Sequence, residues 1–167
     1  MTIQTCCKSF EDLSVNELYD LLQLRSEVFV LEQQCLYQDM DGLDRECHHL
    51  LIYQGGSGTE KPMIAYSRLI PAGKSFPECS IGRIVTRTHG SGYGKLLMQE
   101  ALQWMHQLFG ATDIRIGAQT YAIPFYEKFG FVAEGDTYDE DGIEHIEMLR
   151  RSLPTSLDPA FGHLSFR

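Results

Sequence analysis

Ile81-Gly82-Arg83-Ile84-Val85-Thr86-Arg87-Thr88-His89-Gly90-Ser91-Gly92-Tyr93-Gly94-Lys95-Leu96-Leu97-Met98 passes from an apolar strand through a glycine-rich turn into a helix. Gly90, Gly92 and Gly94, at alternate positions, let the chain turn tightly and aim successive amides into one hollow at a helix start, an arrangement that attracts phosphate. The stretch is not a Walker loop, because Gly90 and Gly94 enclose too few residues and Leu96, not Ser or Thr, follows Lys95. It is not a dinucleotide fingerprint either, since the third glycine falls out of place. A glycine-rich connection that binds nothing would read the same way in isolation, so the flanking elements have to decide.

Downstream, Leu97, Met98, Ala101, Leu102, Met105, Leu108 and Phe109 form one helical face that Gly110 ends. Ile114, Ile116 and Ala118 then alternate with Arg115, Gly117 and Gln119, which predicts a strand. Pro124 is tolerated in the first turn of a helix running to Phe129 and stopped by Gly130. Phe131–Thr137 and Ile143–Leu149 flank Asp141-Gly142, a hairpin signal. Upstream, His48–Gln54 and Met63–Ile70 predict an antiparallel hairpin across a Gly- and Ser-rich turn. Ser14-Val15-Asn16-Glu17 matches a capping box, and Leu18, Leu21, Leu22, Arg25, Val28 and Phe29 make a buried stripe in which Arg25 needs a partner. The segment from Gln33 to Glu46 has no clear period and reads as loop or a short second helix.

This order of strands and helices is α/β (α+β type): a mixed sheet with antiparallel pieces and helices packed on its faces. The length of 167 residues supports one core rather than two, so residues 1–150 are expected to form a single domain and 151–167 a tail of unassigned structure. With 14 Lys and Arg against 23 Asp and Glu, the net charge of −9 repels polyphosphate, which argues against nucleic acid and for a cationic or neutral small partner. No apolar run reaches the roughly 20 residues of a membrane span, the first residues lack an export pattern, and five cysteines cannot all pair. A cytoplasmic protein with reduced thiols, and no membrane partner, is expected.

Arg87-Thr88-His89-Gly90-Ser91-Gly92 fits the pattern Arg/Gln-x-x-Gly-x-Gly and resembles the pyrophosphate loop of the GNAT N-acetyltransferase superfamily. Tyr121-Ala122-Ile123-Pro124-Phe125-Tyr126-Glu127-Lys128-Phe129-Gly130-Phe131 resembles that superfamily's later motif, in the right order and with a strand between. Leu24–Gln33, Asp41–Asp44, His49-Leu50, Arg68–Pro71, Ile81–Arg83 and Asp141–Met148 look like its ElaA-like branch, over about residues 1–150. The Arg-x-x-Val-Phe element at Arg25 is also similar to acyl-homoserine-lactone synthases, which share the fold. The resemblance implies a GNAT-like, mostly antiparallel central sheet and an acetyl-CoA-dependent N-acetyltransferase without a metal. It also implies that Arg87, Thr88, His89, Gly90, Ser91, Gly92, Tyr93, Gly94 and Lys95 hold the coenzyme pyrophosphate, that Ile84, Val85 and Thr86 dock pantetheine, with Gln119 beside them, and that Tyr126 protonates the leaving thiolate.

That last role is chemically apt, since a thiol of pKa near 8.5 leaves more easily when a phenol of pKa about 10 can hydrogen-bond or protonate it. A tyrosine merely packed in the core remains the alternative. The acceptor, a small-molecule or peptide amine, must lose a proton before attack. His145, Glu147 and Glu32 are candidate bases, with His145 first because an imidazole titrates closest to neutrality, and a water relay is equally open. Glu134, Asp136, Asp139, Glu140, Asp141, Glu144 and Glu147 form either a solvated hairpin face or a steering field for that amine. Two acidic stretches lack the carboxylates of a calcium loop, Cys47-His48-His49 lacks further ligands for a metal, and no Gly-x-Ser-x-Gly elbow marks a hydrolase. A non-catalytic acyl-CoA sensor, an acyltransferase for longer chains, and a homodimer stay open.

Overall fold

The computed structural model describes residues 2–55, 61–153 and 158. The Gly-rich turn expected between the first two central strands lies largely outside the described residues, as does most of the tail after 153. Four strands, β1 (Thr2–Ser9), β2 (His48–Gly55), β3 (Met63–Ile70) and β4 (Ser80–Thr86), pair antiparallel in sequence order. Three more, β5 (Ile114–Gln119), β6 (Phe131–Glu140) and β7 (Ile143–Arg150), form a second antiparallel sheet in the order β5-β7-β6. The two sheets touch where β4 begins: Cys79 bridges Ile114 in parallel and the Arg115 amide donates to the Cys79 carbonyl at 3.0 Å. Beyond that bridge no ladder joins β4 to β5 among the described residues, and the strands part.

Helix α2 (Tyr93–Phe109) closes one side of this split. Its Leu97, Met98, Ala101, Leu102 and Met105 pack with Leu69 and Ile81 of the first sheet and with Ile114, Ile116, Ile146 and Met148 of the second. One apolar core therefore spans both sheets, and each fully buried Leu or Met in it contributes about 1.5–3 kcal/mol. Helix α1 (Val15–Arg25) covers the opposite face of the four-stranded sheet alone, through Leu21 and Leu24 against Leu51, Tyr66 and Val85. The expected capping box is formed: Ser14 Oγ accepts from the Glu17 amide at 3.0 Å and the Glu17 carboxylate accepts from the Ser14 amide at 2.8 Å. After Arg25 the helix widens into π-type turns over Ser26–Glu32, so the stripe continues but is rotated. Helix α3 (Ile123–Glu127), after a 3-10 turn at Thr120–Ala122, stops two residues earlier than the sequence predicted, because Phe129 and Gly130 are taken by tight reverse-turn bonds to Tyr126 and Glu127. Among the described residues no helix lies on the outer face of the second sheet, and this side carries the cavity described next.

Candidate active site

The partner that Arg25 requires is supplied by the segment the sequence left without a period. Arg25 is wholly buried; its Nε donates to Asp39 Oδ2 and one terminal nitrogen to Asp44 Oδ1, both at 2.8 Å. Arg68 grips Asp41 through two bonds of 2.9 and 2.7 Å and reaches Asp44 at 3.1 Å. Arg83 donates to Asp39 Oδ1 at 2.8 Å and lies over the Tyr37 ring. Three guanidinium groups balance three carboxylates, so the network can be buried, and it ties the strap of residues 33–46 to α1, β3 and β4. The Arg68 guanidinium holds the Asp41 carboxyl well below the usual range. Burial acts to raise Asp44, but Arg25 and Arg68 outweigh it and its pKa too is lowered. Behind them His49 bonds the Tyr66 hydroxyl at 2.7 Å and the Asp44 carbonyl at 2.8 Å; a carbonyl can only accept, so Nε2 carries the proton.

Strand β4 bulges at Arg83. Tyr66 pairs with Val85 and Arg68 with Gly82, so Arg83 and Ile84 together face one residue of β3, and Arg83 takes φ of 51°, a left-handed conformation rare for a side-chain-bearing residue. The bulge frees β4 backbone groups where β4 and β5 diverge. There, on the strap side, lies a cavity of about 580 Å³. Of the residues expected to act, Ile84, Gln119, Tyr126 and His145 line it, arriving from β4, β5, α3 and β7. Glu147 and Glu32, the other candidate bases, do not line it.

Tyr126 is half-buried, edge-on to Phe125 and Phe131. Burial, with a smaller contribution from Tyr121, pushes its phenol well above the ordinary value, so it keeps its proton at neutral pH. His145 donates from Nδ1 to the Ile143 carbonyl at 2.7 Å, which fixes the tautomer and leaves Nε2 facing Glu140 at 3.4 Å. Gln119 reaches across to the strap and donates to Gln33 Oε1 at 3.2 Å.

The glycine loop sits apart from this cavity, at the end of β4. Gly90 and Gly92 have φ of 72° and 82°, and a Cβ at either would meet nothing within 4 Å. The first helical bond runs from the Leu96 amide to the Gly92 carbonyl at 3.2 Å and no side chain caps this end. The amides of Tyr93, Gly94 and Lys95 are thus without an acceptor among the described residues, which suits an anionic group in the open space beside the glycines. Gly94 packs on the Phe125 ring, so loop and α3 are in contact. Arg87 is held by Glu27 and the Met63 carbonyl, His89 by Glu32, and Ser91 by the Thr88 carbonyl. Val85 turns its side chain into the α1 core and offers only backbone to a ligand.

The sequence reading passed over Arg83 and Tyr138. Nothing in the residues marks a bulge at Arg83, since Arg is a poor left-handed residue. Tyr138 could have been found: a two-residue turn at Asp141-Gly142 sets Tyr138 opposite His145, and period-two alternation puts Glu140 on the same face. The run of acidic residues divides accordingly. Glu134 pairs with Arg115, Asp139 caps the turn and Glu144 accepts from Thr120, whereas Glu140 and Asp141 line the cavity.

A split sheet, a bulged strand feeding an uncapped helix, and a cavity in the split define an acyltransferase of one known class. The chain belongs to the GNAT acetyltransferase domain family, whose model matches residues 25–151. Within it the chain is similar to Protein ElaA of Escherichia coli K12, 36% identical over 146 residues that cover 85% of this chain and 92% of ElaA. Among solved structures it is similar to an acyl-CoA N-acyltransferase from Pseudomonas aeruginosa, with TM-score 0.81 and 40% identity over 89% of this chain and 99% of that one. The acyl-homoserine-lactone synthase BjaI shares the fold, with TM-score 0.76 at 16% identity, covering 96% of this chain and 89% of BjaI.

Proposed function

We propose that this protein is a cytoplasmic, acetyl-CoA-dependent N-acetyltransferase acting on a primary amine by direct attack within a ternary complex, with residues 1–150 as its catalytic unit. The observation that carries the reading is the convergence of Ile84, Gln119, Tyr126 and His145 on one cavity where β4 and β5 part, with the uncapped start of α2 apart from it, past the end of β4. Residues Arg87–Lys95 would bind the pyrophosphate of the donor substrate and Ile84–Thr86 its pantetheine arm, with Gln119 on the facing strand. Backbone groups released by the bulge would polarise the thioester carbonyl. The amine nitrogen attacks that carbon while His145 Nε2 takes its proton; the C–S bond breaks and the thiolate takes the proton of Tyr126. The free cysteines support a reducing compartment.

Incubation of the enzyme with acetyl-CoA and a panel of amines, followed by free-thiol release, tests the reaction. Tyr126→Phe is expected to lower turnover by roughly 10² while acetyl-CoA affinity stays nearly constant. Unchanged turnover removes the acid role, and donor binding without thiol release for any amine removes the reaction.

A further inference from the structure

Tyr126 stands on a helix of five residues, Ile123–Glu127, whose start carries no side-chain cap. Its hydroxyl has no hydrogen bond among the described residues, so the peptide that bears it and the rings around it decide where it points. Two bonds close the far end of this helix: the Phe129 amide donates to the Tyr126 carbonyl at 2.9 Å and the Gly130 amide to the Glu127 carbonyl at 3.1 Å. A helix this short does not hold its form without contacts from outside it.

Arg150, the last residue of β7, supplies such contacts. Its Nε donates to the Phe129 carbonyl at 2.7 Å, and Nε and Cγ pass 3.7 and 3.8 Å from the place a Cβ on Gly130 would occupy. On the strand ladder Arg150 also pairs with Phe131, whose ring meets that of Tyr126 edge-on at 6.1 Å between centroids. Arg150 therefore reaches Tyr126 by two routes, through the hydrogen bonds of the turn and through an aromatic contact. Its guanidinium is in turn held by an ion pair with Asp158, and the two side chains are only 7% and 5% exposed. Asp158 shares a small recess with Leu102 of α2 and Ile114 of β5, so it belongs to the packed body of the protein.

We infer that Arg150 and Asp158 are positioning residues for Tyr126: the Asp158 carboxylate fixes the guanidinium, and the guanidinium fixes the turn that aims the phenol. Neither residue lines the cavity, so both act through Tyr126 and not on a ligand. A planar guanidinium serves the carbonyl through Nε and the carboxylate through a terminal nitrogen at once, in one fixed geometry, which a lysine ammonium on a flexible stem does not reproduce. The inference rests on the acid role proposed for Tyr126 and extends the working unit past residue 150 to Asp158.

The test uses the full chain as wild type, Arg150→Lys and Asp158→Asn, each with and without Tyr126→Phe. With acetyl-CoA and an amine that the wild type acetylates, both single variants are expected to lower kcat by about tenfold with KM for acetyl-CoA unchanged, since a displaced acid loses its alignment while the glycine loop keeps its form. In the Tyr126→Phe background the same substitutions should change nothing further, because their effect passes through the phenol. Asp158→Glu, which keeps the carboxylate, should recover part of the rate. NMR of isotopically labelled tyrosine rings, with the Tyr126 signal assigned by its loss in Tyr126→Phe, reads the coupling without turnover: that signal should move in Arg150→Lys and in Asp158→Asn. Calorimetry with coenzyme A shows that the variants are folded. Unchanged kcat, an equal fractional loss in the Tyr126→Phe background, or an unmoved Tyr126 signal overturns the inference. If the wild type releases no thiol with any amine, the acetyltransferase reading fails, and the Tyr126 signal still decides whether the pair holds the phenol.

Discussion

Arg83 holds a strand backbone in a conformation that its own side chain disfavours. A left-handed residue with a Cβ costs roughly 1–2 kcal/mol, and what holds it here is the clamp formed by Asp39 and the Tyr37 ring. Arg83→Ala loses the clamp and keeps the strain, whereas Arg83→Gly loses the clamp and the strain together. Thermal unfolding should therefore rank Gly above Ala by about 1 kcal/mol, and the reverse order would show that the bulge is not strained. Burial likewise sets the chemistry of single thiols: it pushes Cys7 up to about 12 and Cys47 up to about 11. Since the thiolate is the nucleophile, both should resist iodoacetamide at pH 8 in the native protein and react once it is unfolded, as read by mass spectrometry.

The strap of residues 33–46 has little apolar surface of its own to bury, and Leu36 and Met40 are exposed. What fixes it is ionic. Removing one partner from a buried pair leaves an uncompensated charge, so Arg25→Met should lower stability by about 3–5 kcal/mol in urea unfolding, and adding Asp44→Asn should recover part of the loss. Asp41 and Asp44 both have lowered folded-state pKa values. Their contribution is fully present above the ordinary carboxylate pKa of about 3.9 and is lost as pH falls through the lower folded values. The urea midpoint is therefore expected to fall as pH drops below roughly 4, and Asp44→Asn should flatten that fall.

At the scale of the molecule, a single apolar core under α2 holds two sheets that, among the described residues, share only one bridge. Leu97, fully buried among residues of both, is where that connection is most exposed to loss: Leu97→Ala should cost about 2–5 kcal/mol in urea unfolding and weaken donor binding by letting β4 and β5 shift. The α2 side of the core was written in the chain as helical and alternating periods, because burial on one face imposes a period that residues must obey. The capping box, the Asp141-Gly142 hairpin and the glycine loop were legible for the same local reason. The strap side was not. Its strap is held by ion pairs spanning 14 to 44 residues of sequence, which leave no period, and its bulge is paid for by a clamp that forms only in the folded chain.

By itself, then, the sequence determined α1 with its capping box, α2, the strands from His48 onward, their order and the amide-rich turn at the start of α2, since each follows from interactions among residues a few positions apart. The tertiary structure alone decided that Arg25, Arg68 and Arg83 share three aspartates, that β4 bulges and parts from β5, and that Tyr138 meets His145 over Gly117. Those arrangements depend on which distant charges and faces meet when two sheets pack on one helix, and no local rule carries that information.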